Sequence, residues 1–214
     1  SLEDILTNPQ EIAFAVRDKC FPLEHFSAYL QKGYYPFGVE GFNSYYQRIE
    51  SIADLLLNIE LPQLRGVDVG NIRKLKALLA VISTEVPMLV DVSKLSAFIG
   101  VSRITLLAYL QYLHEAKLIR LLYSDDLSVK KMQKPDKILM ENTNLLQALS
   151  LKEPNIGTMR ETFFCNQLGY KHQVEYNKSG DFLIDHRLVF EIGGKAKDGK
   201  QVAQNENAYI AADD

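Results

Sequence analysis

Residues 92–119 read VSKLSAFIGVSRITLLAYLQYLHEAKLI, and this string decides the fold. Val92 to Ile99 is long enough for a short helix, with Ser93 available as its N-cap. Gly100 follows, and glycine enters the left-handed region at little steric cost. Ser102 then caps a long helix on which Leu106, Leu110, Leu113 and Ala116 share one face at about 100° per residue. Upstream, NIRKLKALLAVIST at 71–84 is amphipathic and stops before Pro87. Downstream, IRLLYSDD at 119–126 predicts a strand that turns into a wing. Helix, short helix, glycine turn, long helix and strand is the order of a winged helix-turn-helix, placed over residues 71–123.

The outer arc of the long helix carries Ile104, Thr105, Ala108, Gln111, Tyr112 and Glu115. A helix that reads the major groove offers Arg, Lys, Asn or Gln to base edges and phosphates. Only Gln111 qualifies on this arc, with Arg103 and His114 at its margin and Lys94 on the shorter helix. The module is mildly basic, with Arg73, Lys74, Lys76, Lys94, Arg103, Lys117 and Arg120 set against Glu85, Asp91 and Glu115. DNA contact through Arg103, Gln111 and Lys94 is one expectation. Packing of the apolar arc against another domain is the other, and the arc's composition favours it.

The chain has 214 residues, 47% hydrophobic and 24% charged, which is material for two packed units behind a helical lead-in. The net charge of -3 excludes a protein that coats nucleic acid by general attraction. Cys20 and Cys165 lie in apolar contexts and are expected to be buried free thiols, without the spacing of a zinc site. The longest apolar stretch is broken by Glu85 and Pro87, so no membrane span is expected and a cytoplasmic location follows by default. The chain opens at SLEDIL without Met and stops at YIAADD, which reads as a piece of something longer.

Three regions follow. Residues 1–65 form a helical linker: LEDILTNPQEIAFAVRDKC is striped at helical spacing, a second helix begins at Pro22, and GYYPFGVE is loop chemistry. A third helical stretch places Tyr46, Ile49, Ile52, Leu56 and Ile59 along one side. Residues 66–150 hold the winged helix with an extension: a lysine-rich loop, the short strand KILM and a helix capped near Asn142. Residues 151–214 read helix, three strands and a final helix, with HQVEYNK, DFLID and LVFEIGG joined by KSG and the hairpin signal DHR.

Three carboxylates stand out in that last region. Glu161 lies on its helix, Asp181 opens one strand, and Glu191 ends the run LVFE on the next. Converging on a sheet edge, Asp181 and Glu191 with Glu161 assisting would hold Mg²⁺, a hard cation that takes oxygen ligands. The metal would then activate water for phosphodiester cleavage. A helix with an acid, then strands bearing Asp and Glu-x-Lys, resembles the PD-(D/E)XK nuclease fold. That resemblance implies a catalytic lysine two residues after Glu191, where this chain has Gly193. The nearest candidate, Lys195, shares the strand face but lies roughly 13 Å along a continuous strand. No Gln-x-x-x-Tyr spacing accompanies Gln201 or Gln204.

A wider resemblance runs over nearly the whole chain. GYYPF at 33–37, KPDKILMENTNLLQAL at 134–149, GTMRETFFCNQL at 157–168, SGDFLID at 179–185 and FEIGGKAKDGKQ at 190–201 occur in this order. Together they are similar to the C-terminal region of a prokaryotic family of AAA+ superfamily P-loop ATPases. The resemblance implies an α+β region of winged helix plus truncated restriction-endonuclease-like domain. It implies an upstream ATPase domain as partner and no cofactor in this fragment beyond Mg²⁺ at an active nuclease-like site. GKAKDGK at 194–200 is a false phosphate loop, since Gln201 stands where the Mg²⁺-holding hydroxyl belongs. His25, His114, His172 and His186 join no nucleophile motif. The functions to weigh are a nucleic-acid-associated accessory region of a P-loop ATPase with a degraded nuclease-like site, a Mg²⁺-dependent DNA endonuclease, and a protein-interaction platform without DNA binding.

Overall fold

Proline and asparagine punctuate the helical lead-in. The stretch read as one striped helix breaks at Asn8 into α1 (Leu2–Thr7) and α2 (Pro9–Arg17), because Pro9 suits the first turn of a helix but not its interior. α3 (Pro22–Lys32) begins at Pro22 as expected, and α4 (Tyr45–Leu55) runs through a π turn at Leu56–Glu60 into α5 (Leu61–Arg65). The computed structural model describes residues 1–40, 43–66, 68–124, 134–194 and 207–212. The buried stripe here is Tyr45, Ile49, Ala53, Leu57 and Leu61, while Ile52 and Ile59 are exposed, contrary to the sequence expectation. A strict four-residue repeat drifts around a 3.6-residue helix, and the wider π turn brings Leu61 back into line.

α6 (Val69–Glu85), α7 (Val92–Ile99) and α8 (Arg103–Glu115) follow. Gly100 ends α7 at φ 71°, and Ser102 caps α8 by accepting from Thr105 N. The cap of α7 is Asp91, which accepts from the amides of Ser93 and Lys94, so the cap lies two residues before the expected Ser93. Leu106, Leu110 and Leu113 are fully buried as the helical wheel predicts, and Tyr109 joins them. β1 (Met88–Leu89), β2 (Ile119–Leu122) and β3 (Lys137–Met140) form an antiparallel sheet in the order β1-β3-β2. The expected lysine-rich wing loop falls mostly in 125–133, outside the described residues.

α9 (Thr143–Leu149) explains why GYYPF and ENTN belong together. The Asn144 side chain is wholly buried and accepts from Tyr34 N at 2.8 Å and from the Tyr45 hydroxyl at 2.5 Å. Its Nδ2 donates to Leu30 O at 2.8 Å, where the Thr143 hydroxyl also donates at 2.7 Å. Asn142 caps α9 through Leu145 N and donates to the Tyr35 hydroxyl. Three consecutive polar side chains thus fasten the end of α3 and the tyrosine loop to the helical core.

α10 (Ile156–Leu168) packs against a second sheet of order β4-β5-β6-β7: β4 (Val174–Tyr176), β5 (Phe182–Ile184), β6 (Leu188–Gly193) and β7 (Ala208–Ala212). The chain is therefore of mixed α+β class. β7 is a strand where a final helix was expected: AYIAA pairs in parallel with β6, and Tyr209 stacks on Phe190. Tertiary pairing overrides the helical preference of alanine. Tyr176 N donates to Tyr123 O, so the tail of β2 bridges the edge of β4 and links the two sheets.

The β2–β3 pair is a wall between two cores. Leu121, Ile138 and Met140 belong to the larger core with the helices, while Leu122 and Leu139 pack with Cys165, Phe182, Ile184, Phe190 and Ile192. Alternation along each strand accounts for the division. Cys165 is buried as expected, but Cys20 is exposed, because α2 ends before it and it sits in the turn to α3. Among the described residues no single helix is long and apolar enough to cross a membrane.

Candidate functional site: acids gathered around Lys137

The alternation that sends Leu122 and Leu139 into the second core sends Arg120 and Lys137 the same way, since each cation shares its strand's face with one of those leucines. Lys137 is buried and Arg120 largely so, which is costly unless the charges are paired. The Arg120 guanidinium donates to Glu141 Oε1 at 2.6 Å and to Cys165 O at 3.2 Å. Burial is the largest influence and works against that charge, but the bond to Glu141 and the attraction of the neighbouring acidic groups together outweigh it and raise the guanidinium pKa. A Cβ on Gly169 would land on this guanidinium, so the residue after α10 is held to glycine by close approach. Burial also pushes the neighbouring Cys165 thiol up to about 12.

Lys137 is met by the acidic residues singled out from sequence. Its Nζ lies 2.5 Å from Glu161 Oε2 and 3.8 Å from Asp181 Oδ1, with the ring centroid of Phe182 at 5.0 Å. The side chain is 8% exposed. Local structure fixes each partner. Asn155 caps α10 through Thr158 N, and Asn166 ties the same helix to Glu141 O, which orients Glu161. Asn177 accepts from the amides of Ser179 and Gly180 and turns the chain into β5. Asp181 then donates its amide to Phe190 O at 2.8 Å and accepts from Ile192 N at 2.7 Å.

The structure thus brings Glu161 and Asp181 to one lysine. Glu191 is buried on β6 between the two residues that bond Asp181, so it lies across the strand pair from it. Strand alternation puts Glu191 on the face of Val189 and Leu183, opposite Phe182, Phe190 and Ile192. Among the described residues no three His, Cys, Asp or Glu side chains come together in a metal-binding arrangement. The position two after Glu191 is Gly193, and the Arg160 guanidinium comes within 3.0 Å of where a Gly194 Cβ would stand. Lys195, Gln201, Gln204 and most of GKAKDGK lie outside the described residues.

Sequence reasoning missed Lys137. The available signal was a lysine opening the apolar run KILM, since a charge in a buried strand must find a partner, but the burial of that strand was not legible.

The candidate nucleic-acid residues are dispersed by comparison. Arg103 and Lys94 are exposed on the first turns of α8 and α7, with Lys94 only 4.0 Å from Asp91. Gln111 donates to Glu115 at 3.0 Å; Arg65 pairs with Glu115 and lies 5.5 Å over the Tyr112 ring. Lys76 pairs with Asp54, and Lys74 donates to Gly100 O. The exposed apolar residues nearby are Ile104 at 82%, Phe98 at 74% and Leu89 at 64%. A groove of about 690 Å³ opens between α6 and α7, lined by Val81, Met88, Leu89, Leu95 and Phe98.

Two histidine–carboxylate pairs close the β4–β5–β6 hairpins. His172 Nδ1 lies 2.7 Å from Asp185 and His186 Nδ1 lies 2.9 Å from Glu175. The His172 bond holds the Asp185 carboxyl below its ordinary range. Asp185 and His186 take φ values of 50° and 56°, a left-handed turn within the hairpin that the DHR signal predicted.

The family described as Domain of unknown function (DUF8612) matches residues 23–155, and the chain belongs to it. No curated protein and no solved structure matches. The matched span runs from α3 to the cap of α10 and includes Lys137 but not Glu161 or Asp181.

Proposed function

We propose that this chain is a protein-facing accessory region of a P-loop ATPase of the AAA+ superfamily, built from a winged helix-turn-helix and a restriction-endonuclease-like sheet domain that does not cleave nucleic acid. The observation that carries this is where the module's positive charge goes. Of the seven cations counted on the module, Arg120 turns inward to Glu141, Lys76 pairs with Asp54 and Lys74 holds Gly100 O. The outer arc of α8 has its polar half tied to α5 through Arg65 and Glu115, and its leading end offers Ile104. Burying Ile104 and Phe98 against a protein would contribute about 1.5–3 kcal/mol each, whereas duplex DNA rewards phosphate contacts. The three helices followed by an antiparallel sheet support the winged-helix assignment, and α10 with the mixed sheet supports the nuclease-like one.

Duplex DNA binding followed by fluorescence anisotropy tests the reading. Of the module's seven counted cations only Arg73, Arg103 and Lys117 stand outside described ion pairs and structural bonds, and Lys94 is held loosely by Asp91 at 4.0 Å; with all four on phosphate, the slope of log affinity against log salt would be at most about −3.6. The expected result is binding no tighter than the non-specific range of roughly 10⁻⁴–10⁻⁶ M. Tighter binding that Arg103→Ala and Lys94→Ala abolish overturns it. In the ATPase that contains this region, Ile104→Asp is expected to alter ATP turnover while the region stays folded.

A second reading, Mg²⁺-dependent endonuclease, is favoured by the meeting of Glu161, Asp181 and a lysine. Nicking of supercoiled plasmid with Mg²⁺ or Mn²⁺, lost in Asp181→Ala, would establish it and displace the first.

A further inference from the structure

We infer that Lys137 is a tethered cation that fills the pocket between Glu161, Asp181 and the Phe182 ring and keeps divalent metal ions out of it. The contact is autoinhibitory toward metal. It builds on the non-hydrolytic reading of this acidic edge, and its readout is metal binding, not cleavage.

The three groups around the ammonium come from two elements, α10 and β5. Glu161 on α10 accepts a bond of 2.5 Å, Asp181 at the head of β5 stands at 3.8 Å, and the negative face of the Phe182 ring stands at 5.0 Å. Carboxylate oxygens and a ring face all attract positive charge, so the chemistry of this wall selects a cation. A side chain only 8% exposed has given up its water to sit there. Asp181 cannot swing away freely, because its second oxygen is bonded to Ile192 N. Two hard oxygen donors, one fixed by the backbone of β6, are what Mg²⁺ or Mn²⁺ takes from protein.

The plug is carried by a different module from the acids. Lys137 opens β3, whose register is set by Leu89 on one side and Leu122 on the other. A one-residue slip of β3 would turn its side chain to the other face of the sheet. Access of metal to Glu161 and Asp181 is thereby tied to how β3 is seated against its neighbours.

The test uses the whole chain, with thermal unfolding and Mn²⁺ electron paramagnetic resonance as readouts. Wild type is expected to show no immobilised Mn²⁺ at this site and no Mn²⁺-dependent rise in Tm. Lys137→Ala is expected to lower Tm, to bind one Mn²⁺ and to recover part of the loss when Mn²⁺ is added. Adding Glu161→Gln to that variant should abolish both responses. Lys137→Met supplies a second uncharged variant should the alanine form not fold. Equal Mn²⁺ responses in wild type and variant, or a folded Lys137→Ala or Lys137→Met that binds none, overturn the inference. Neither result touches the cleavage assay, whose failure or success decides the functional reading separately.

Discussion

Asn144→Ala removes the residue on which the tyrosine loop, α3 and α4 converge. Its Oδ1 accepts from Tyr34 N and from the Tyr45 hydroxyl, and the Tyr45 side chain is among the most deeply buried in the chain. Leu30 O loses the Asn144 bond but keeps Thr143, so the acceptor there stays satisfied. The cost therefore falls on two donors, of which the Tyr45 hydroxyl is fully desolvated. At about 1–3 kcal/mol for each buried group left unsatisfied, and less for the partly buried Tyr34 amide, the loss is about 3 kcal/mol. For a chain of this size that is a fall in Tm of roughly 6–12 °C. Tyr45→Phe removes that bond and the longer one its oxygen accepts from Tyr35 N at 3.3 Å, while Asn144 keeps Tyr34 N, and should cost about 1–2 kcal/mol. Combined, the two changes should cost less than their sum by about 1 kcal/mol, since Asn144→Ala no longer strands a hydroxyl once Tyr45 is phenylalanine. Urea unfolding at unchanged m-value measures all three. A loss under about 1 kcal/mol for Asn144→Ala, or strict additivity in the pair, would refute the view that this side chain organises the loop.

Three further outcomes are expected. Lys117 occupies φ 57° at the end of α8 while Leu118 N closes onto Leu113 O, so Lys117→Gly should stabilise by about 0.5–1 kcal/mol in the same urea assay. Maleimide labelling at pH 8 should modify Cys20 in the native protein and spare Cys165, whose buried thiol is held up to about 12; two labels before denaturation would contradict the packing of α10. Asp185 titrates below its ordinary 3.8 because of its bond to His172, so its contribution is present above that value and is lost as pH falls through the lowered folded pKa. Asp185→Asn should flatten the fall of stability below about pH 4, and an unchanged acid profile would sink the assignment.

How much of this was legible depends on how far apart the partners are in the chain. Periodicity located α6, α7 and α8, because the burial of Leu106, Leu110 and Leu113 is a property of one helix. The strands DFLID and LVFEIGG, and the left-handed turn at Asp185 and His186 between them, were equally local. Errors arose where a neighbour decided the outcome. The buried stripe of α4 runs through Tyr45, Ile49 and Ala53 because of what packs on that face, and AYIAA became β7 because β6 supplies hydrogen-bond partners that alanine alone does not predict. Cys20 was judged by its apolar flanks, although α2 had already ended.

Lys137 shows the same limit at the candidate site. Along the strand of Glu191 a period of two leads only to Gly193 and Lys195. The lysine that meets Glu161 and Asp181 belongs to β3, and strand alternation explains how it gets there: Leu139 must reach the second core, so Lys137 must face it too. Once there, an unpaired ammonium would be far more costly than a lost surface bond, so the acids on α10 and β5 are required for β3 to seat at all. Arg120 on β2 repeats the arrangement with Glu141. Of the basic residues that suggested a DNA-binding module, Arg120 turns into the joint between the two sheets, and the outer surface presents Ile104 and Phe98 beside Lys94 and Arg103. On the winged-helix reading proposed above, a module with apolar residues at the leading end of its third helix is suited to grip a protein.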